Sequence, residues 1–259
     1  MKARIHPTAI VEDGARLADG VEVGAYAYIG GEATLGEGCI VMHHATVEGF
    51  TTMGARNIVY PYAFIGARTQ DLKYAGGRPG LTIGEDNVFR EYSTVHAATK
   101  DGDFTVIGSH NNFLAYTHIA HDCILGDYIV ASNSVGLAGH IKVGSHVVIG
   151  GMAGFHQFVR IGDYSMVGGM ARVTQDVCPY MIAEGEPART RTINLVGLER
   201  NGLSPAEIAE VKAAYRILFK SDLPREKAVE ALRNACRGDE TPVMTKLLAF
   251  FETSERGVC

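Results

Sequence analysis

Twenty-six residues spaced six apart, from Ile5 to Val173, hold a single register, and all but Ala131 are strongly apolar. The series runs through Ile5, Val11, Leu17, Val23 and Ile29 to Ile65, resumes at Ile83, Phe89 and Val95, and continues from Ile107 to Val173. The spacing is no multiple of the helical period of 3.6, and a continuous strand of period two would need apolar residues at every second position, so the repeat is a supersecondary unit that turns a corner every six residues. Three units make a triangular coil of eighteen residues; each flat side sends one apolar side chain inward, and the next coil stacks its counterpart above it. Adjacent coils then pair as parallel strands ~4.8 Å apart, and about nine coils give a prism roughly 40 Å long. The glycines that follow the apolar position (Gly24, Gly30, Gly36, Gly54, Gly66) read as corner residues, where the backbone turns without a Cβ. Small residues four places after it (Ala9, Ala27, Cys39, Ala63, Cys123) suit a crowded corner interior.

Two stretches break the ladder. Between Ile65 and Ile83 the expected positions hold Asp71 and Gly77, and between Val95 and Ile107 the position holds Asp101. Both gaps are multiples of six, so the spacing predicts a continuous prism with loop excursions within 66–82 and 96–106. Such loops on a rigid scaffold are common carriers of function. Beyond Val173 the pattern stops, and Cys178 to Thr192, with Pro179, Gly185 and Pro187, reads as a linker leaving the prism. Ser204, Pro205 and Glu207 form a capping box with proline at the first helical position, predicting a helix to Phe219. A second helix is expected over Pro224 to Arg237, stopped by Gly238, and a third from Pro242 to Glu255. The predicted organisation is therefore a mainly β chain: a parallel β-helix over 1–190 and a small α-helical domain over 191–259.

Composition adds bounds. Net charge is −5, with 14 basic and 20 acidic side chains in residues 1–199 against 10 and 9 in 200–259, a balance that argues against a nucleic-acid partner. Five scattered cysteines without metal-type spacing suggest a reducing, cytoplasmic setting. No apolar run approaches ~20 residues, so no membrane span is expected. Lys142 and Arg160, eighteen apart, stack on one face and read either as a basic patch for an acidic partner or as two solvated charges.

The densest chemistry is His118-Ile119-Ala120-His121-Asp122-Cys123. With Ile119 taken as a corner core residue, His121 and Asp122 fall on the wall, facing outward. One coil on, Gly139 stacks over His121 and His140 over Asp122, which gathers two imidazoles, a carboxylate and an unhindered backbone N–H. Such a patch suits acyl transfer to a hydroxyl: an imidazole takes the proton, a carboxylate orients it, and an N–H stabilises the oxyanion. No Ser or Cys is flanked by a base in a nucleophile context, which favours direct transfer over a covalent acyl-enzyme. The bland alternative is a set of surface histidines. A zinc site from His118, His121 and either His140 or His156, on the plan of the gamma-class carbonic anhydrases, is the other; no metal and no cofactor are expected.

The repeat resembles the hexapeptide-repeat proteins, whose coils are left-handed and whose prisms assemble as homotrimers. The finer motifs resemble the UDP-N-acetylglucosamine acyltransferases that open lipid A biosynthesis, over nearly the whole chain. They are His6-Pro7-Thr8-Ala9, Gln70-Asp71-Leu72-Lys73-Tyr74, the His118 to Cys123 run, Leu137-Ala138-Gly139-His140, Gly150-Gly151-Met152, His156-Gln157-Phe158 and Gly197-Leu198-Glu199-Arg200. That resemblance implies transfer of a 3-hydroxyacyl group from an acyl carrier protein thioester to the sugar 3-hydroxyl of UDP-N-acetylglucosamine. It implies His121 as general base, Asp122 supporting it and the Gly139 N–H facing the oxyanion. Gln70, Asp71, Lys73, His118, His140, His156 and Gln157 would hold glucosamine and phosphates, and Arg200 would reach the nucleotide. The acidic carrier would meet Lys142 and Arg160, in sites between subunits. In this family a large side chain at the position of Gly169 closes the acyl groove early, so Gly169 implies a longer chain. Three positions depart from the family pattern: Glu186 where Asn is usual, Glu199 where Lys is usual, and Ala97 where Arg is usual. An acetyl-CoA-dependent sugar acetyltransferase and a non-catalytic scaffold remain the competing readings.

Overall fold

The computed structural model describes residues 2–235 and 241–259. Its described residues form a left-handed parallel β-helix of three sheets with eleven, nine and eight strands, followed by four helices. Most strands are only two residues long, and the second residue of each is the apolar one of the sextet, buried in a single continuous core from Val21 to Ala188. Coils pair in strict register: Lys142 with Arg160, and Ile119 with Leu137. In the first coil the register residue Ile5 is exposed and Val11 and Leu17 are only partly buried.

The corners differ from the sequence reading. The left-handed φ that turns the chain falls on the third residue after the apolar one, and at eighteen positions it is not glycine: Tyr26, Tyr62, Asp122 and His140 all lie near +60°. Except at Gly66, whose φ is +87°, glycine directly after the apolar residue serves another purpose, because a Cβ on Gly36 would lie 2.5 Å from the Gly54 carbonyl carbon and one on Gly54 2.7 Å from the Gly84 oxygen. These glycines permit close stacking of coils. Ile119 likewise lies in a strand, His118–Ile119, and the corner is at Asp122. Inside one corner Asn57, Asn87 and Asn111 form a buried ladder, each amide accepting from the backbone N–H one coil above and donating to glycine carbonyls.

Both loops leave the prism without disturbing its register. Met53 pairs with Ile83, thirty residues on, and Ile83 with Ile107, twenty-four on, where eighteen is the rule. The excursions therefore add twelve and six residues, lying between Ala67 and Gly80 and between His96 and Phe104. Past Val173 the chain does not simply depart: Met181–Gly185 adds a parallel strand to the eleven-stranded sheet, and Ala188–Ile193 folds back on it antiparallel. That hairpin closes the C-terminal end of the core.

A helix that periodicity did not reveal, α1 (Leu195–Arg200), follows, capped by the Asn194 side chain. In α2 (Pro205–Phe219) the capping box of Ser204 and Glu207 is formed in both directions. Then come α3 (Arg225–Ala235) and α4 (Pro242–Glu252), which ends at its Thr253 cap, three residues before the expected Glu255. The expected α3 terminus at Arg237 and Gly238 lies outside the described residues. No helix among the described residues is long and apolar enough to cross a membrane. The helices share a second core that includes Cys178, Tyr180 and Met181. Arg160 ties them to the prism, its guanidinium donating to Thr253 O and Oγ1 and stacking 4.5 Å over Phe250.

Candidate active site

A cleft of about 1070 Å³ opens along the face carrying the strands at His118, Gly136, Gly154 and Arg172, with the tip of the first loop on its rim. Eight of the residues singled out from sequence line it together: Gln70, Asp71, Lys73, His118, His121, Gly139, His156 and Gln157. His140 adjoins from the corner, its Nε2 3.7 Å from Asp122 Oδ2 and its ring edge-on to His121 at 5.2 Å.

His121 is not a surface histidine; it is 5% exposed. Its Nδ1 lies 2.7 Å from Asp122 Oδ2. Burial pushes the Asp122 carboxyl up, yet hydrogen bonds from His121 and Thr99 and the charge of His140 outweigh it and hold the group below its ordinary range. An ionised carboxylate only accepts, so Nδ1 carries the proton and Nε2 is left as the basic nitrogen. Gly139 explains how the ring fits: a Cβ there would lie 2.4 Å from His121 Cε1 and 2.6 Å from Nε2. The Gly139 N–H makes no hydrogen bond among the described residues.

Beneath the cleft floor lies a group that sequence reasoning missed. His96, 5% exposed, packs edge-on against His118 at 4.9 Å, and its Nδ1 is the one buried side-chain nitrogen or oxygen without a partner among the described residues. Burial, with His118 and His121 nearby, lowers its pKa to about 4. Burial also lowers that of His118, whose Nδ1 lies 2.8 Å from Thr94 Oγ1. Cys123 follows Asp122 directly, but burial pushes its thiol up to about 12 and its Sγ donates to Ala138 O, so it cannot serve as a thiolate at neutral pH.

The loop is built to present Asp71. Its carboxylate accepts the Lys73 N–H at 2.9 Å, closing a tight turn, and leaves Leu72 wholly exposed at the tip. Ligand atoms of Asp71, His121 and His140 lie within 4.8 Å of one another, a trio that could hold a metal ion; it shares His121 and His140 with the set considered from sequence but has Asp71 in place of His118. A second such trio, Glu85, Asp86 and His110, lies on another corner.

Other candidates lie elsewhere. Lys142 and Arg160 face a smaller cavity of about 370 Å³ on the adjoining side of His140, with Arg256 from the C-terminal segment. Gly169 does not line the cleft; its neighbour Met170 does, together with Met152. Arg200 is exposed at the end of α1 and does not reach the cleft within one chain. Glu186, at the family-departing position, does line it and sits 3.4 Å from Arg172.

Residues 176–259 match the family model described as UDP-N-acetylglucosamine O-acyltransferase, domain 2. Over 260 residues the chain is 46% identical to the acyl-[acyl-carrier-protein]–UDP-N-acetylglucosamine O-acyltransferase of Paraburkholderia phytofirmans, covering 99% of each. Over 256 residues it is 43% identical to that of Thermodesulfovibrio yellowstonii, covering 98% of each. The crystal structure of UDP-N-acetylglucosamine O-acyltransferase from Moraxella catarrhalis superposes with a TM-score of 0.93 at 40% identity, covering 98% of both chains. An imidazole-lined cleft on a prism and helical bundle thus coincides with similarity along the whole chain, which belongs to the acyl-[acyl-carrier-protein]–UDP-N-acetylglucosamine O-acyltransferase family.

Proposed function

We propose that this protein transfers a 3-hydroxyacyl group from an acyl carrier protein thioester to the 3-hydroxyl of UDP-N-acetylglucosamine, the first step of lipid A biosynthesis, with His121 as general base. The observation that carries the mechanism is the 2.7 Å bond between His121 Nδ1 and Asp122, which leaves Nε2 to take a proton. The sugar oxygen attacks the thioester carbonyl carbon as its proton passes to Nε2, and negative charge gathers on the carbonyl oxygen, where the Gly139 N–H supplies a donor. Collapse breaks the C–S bond, and the imidazolium returns the proton to the departing thiolate. The raised Cys123 thiol supports direct transfer. His118, His140, His156, Gln70, Gln157, Asp71 and Lys73 hold the amino sugar and its phosphates, and the imidazole of His118, kept neutral by burial, offers hydrogen bonds without adding charge beside the base.

The active unit is a homotrimer with sites between subunits, in the cytoplasm. Leu72, Met152 and Met170, 101%, 62% and 72% exposed, are apolar side chains on the cleft that an acyl chain or a second copy covers. Along one edge Tyr26, His44, Tyr62, Tyr92 and Tyr116 stack at about 5.1 Å, an exposed aromatic row of the kind that marks subunit contact. Arg200 then completes the nucleotide end across that contact. Lys142, which forms no ion pair among the described residues, meets the carrier, with Arg160 holding the adjacent helices in place. Gly169 leaves the groove open for a longer acyl chain.

Replacing His121 with Ala should lower turnover at least ~10²-fold while the fold persists. Assay of 3-hydroxyacyl carrier protein beside acetyl-coenzyme A as donors tests the substrate class. Turnover with acetyl-coenzyme A alone, or an active His121→Ala protein, overturns the reading.

A further inference from the structure

Two threonines buried beneath the cleft link its general base to its substrate loop. Thr69 stands at the start of the first excursion and Thr99 at the start of the second, 6% and 7% exposed. Their hydroxyl oxygens lie 2.9 Å apart. Thr69 Oγ1 accepts the backbone N–H of Asp71 at 3.0 Å. Thr99 donates its own N–H to Asp122 Oδ1 at 3.2 Å, and its side chain helps to hold that carboxyl below its ordinary range.

The direction of this chain is fixed by its chemistry. The ionised Asp122 only accepts, so the Thr99 hydroxyl proton points at the carboxylate. Thr99 must then accept from the Thr69 hydroxyl, which itself accepts the Asp71 N–H. One unbranched relay runs from the loop backbone through two hydroxyls to the carboxylate that fixes the His121 tautomer. Both threonines are buried, so removing one hydroxyl leaves its neighbour unsatisfied rather than hydrated.

We propose that Thr69 and Thr99 are positioning residues that set the orientation of the His121–Asp122 pair and couple it to the placement of the Asp71 loop. The proposal rests on the reading of His121 as general base. Neither threonine touches the reacting atoms. A loop pulled onto the sugar nucleotide thereby holds Asp122, and with it His121 Nε2, in the aligned geometry that proton transfer needs.

Steady-state kinetics of the full chain, with the sugar nucleotide and carrier thioester varied separately, tests this. Thr99→Val should lower kcat between about 10- and 100-fold, the range that misplacement of a reacting group produces, with little change in KM. Thr69→Val should raise KM for the sugar nucleotide and lower kcat. The double variant should be no worse in kcat than Thr99→Val alone, because both act through one chain. Thr99→Ser and Thr69→Ser keep the hydroxyls and should restore most of the loss. An unchanged kcat in Thr99→Val, serine variants as impaired as the valine ones, or additive effects would each overturn the coupling. If Thr99→Val does not fold, Thr69→Val decides the question, since it cuts the relay while leaving the Thr99 N–H on Asp122. A His121→Ala control separates the two claims: an active control removes the base and the relay together, whereas an inactive control beside normal valine variants removes the relay alone.

Discussion

A Cβ at residue 139 would fall 2.4 Å from the imidazole it faces, so glycine there determines where the His121 ring can lie. Gly139→Ala should reduce turnover on the order of 10²-fold by displacing His121, with the melting curve close to that of the parent; parent-like turnover would show that the ring has room elsewhere. His96 makes a second residue-scale prediction. Its pKa in the folded chain, about 4, lies below the ordinary 6.5, so between those values the unfolded chain binds the proton and the folded chain does not. Stability is therefore complete above pH 6.5 and is lost as pH falls toward 4, with about 2 kcal/mol forfeited between pH 7 and 5. Urea unfolding of the parent and His96→Gln at both pH values checks this: the variant should lose less on acidification, and equal losses would refute it. For the Asp71, His121 and His140 trio, imidazole catalysis predicts that dialysis against a chelator leaves turnover intact; a loss restored by zinc would assign the role to a metal. His121, Asp122, Gly139 and His140 could be placed together from spacing because eighteen-residue stacking holds across that part of the prism. Thr69, Thr99 and His96 could not, since the coils below step by twenty-four and thirty residues where the loops are inserted.

At the scale of elements, the strands were legible and the connections were not. A six-residue ladder states which side chains go inward, but a loop whose length is a multiple of six leaves the register intact and hides its own exit point. The hairpin of Met181–Gly185 and Ala188–Ile193 could not be told from a linker, because Gly185 and Pro187 mark a turn and a linker alike. Helix α1, six residues long, is too short for periodicity, and the signal available was Asn194 three residues before Gly197, as an N-cap. The two stacked cations separate once their partners are visible. Arg160→Ala should lower stability by about 1–3 kcal/mol through loss of its hydrogen bonds to Thr253 and its stacking on Phe250. Lys142→Ala should leave stability alone and raise KM for the carrier thioester. A reversal of those two outcomes, in thermal melts and donor titrations, would exchange the roles.

For the molecule as a whole, the exposed aromatic edge and the apolar cleft rim predict assembly. Sedimentation should give three times the 27.8 kDa mass of the chain, and turnover per chain should fall on dilution to concentrations where that species dissociates. Full turnover by a monomer would show that each cleft is complete in itself. The sequence alone determined the prism, its parallel pairing and the company of His121, because a repeat commensurate with its own coil converts linear spacing into contact. Only the tertiary structure decided the ionisation of Asp122, the tautomer of His121, the direction in which Asp71 is presented and the hydrogen bonds that tie Arg160 to the helices. Those depend on desolvation and on hydrogen bonds from loops that leave the repeat, where spacing no longer specifies who meets whom.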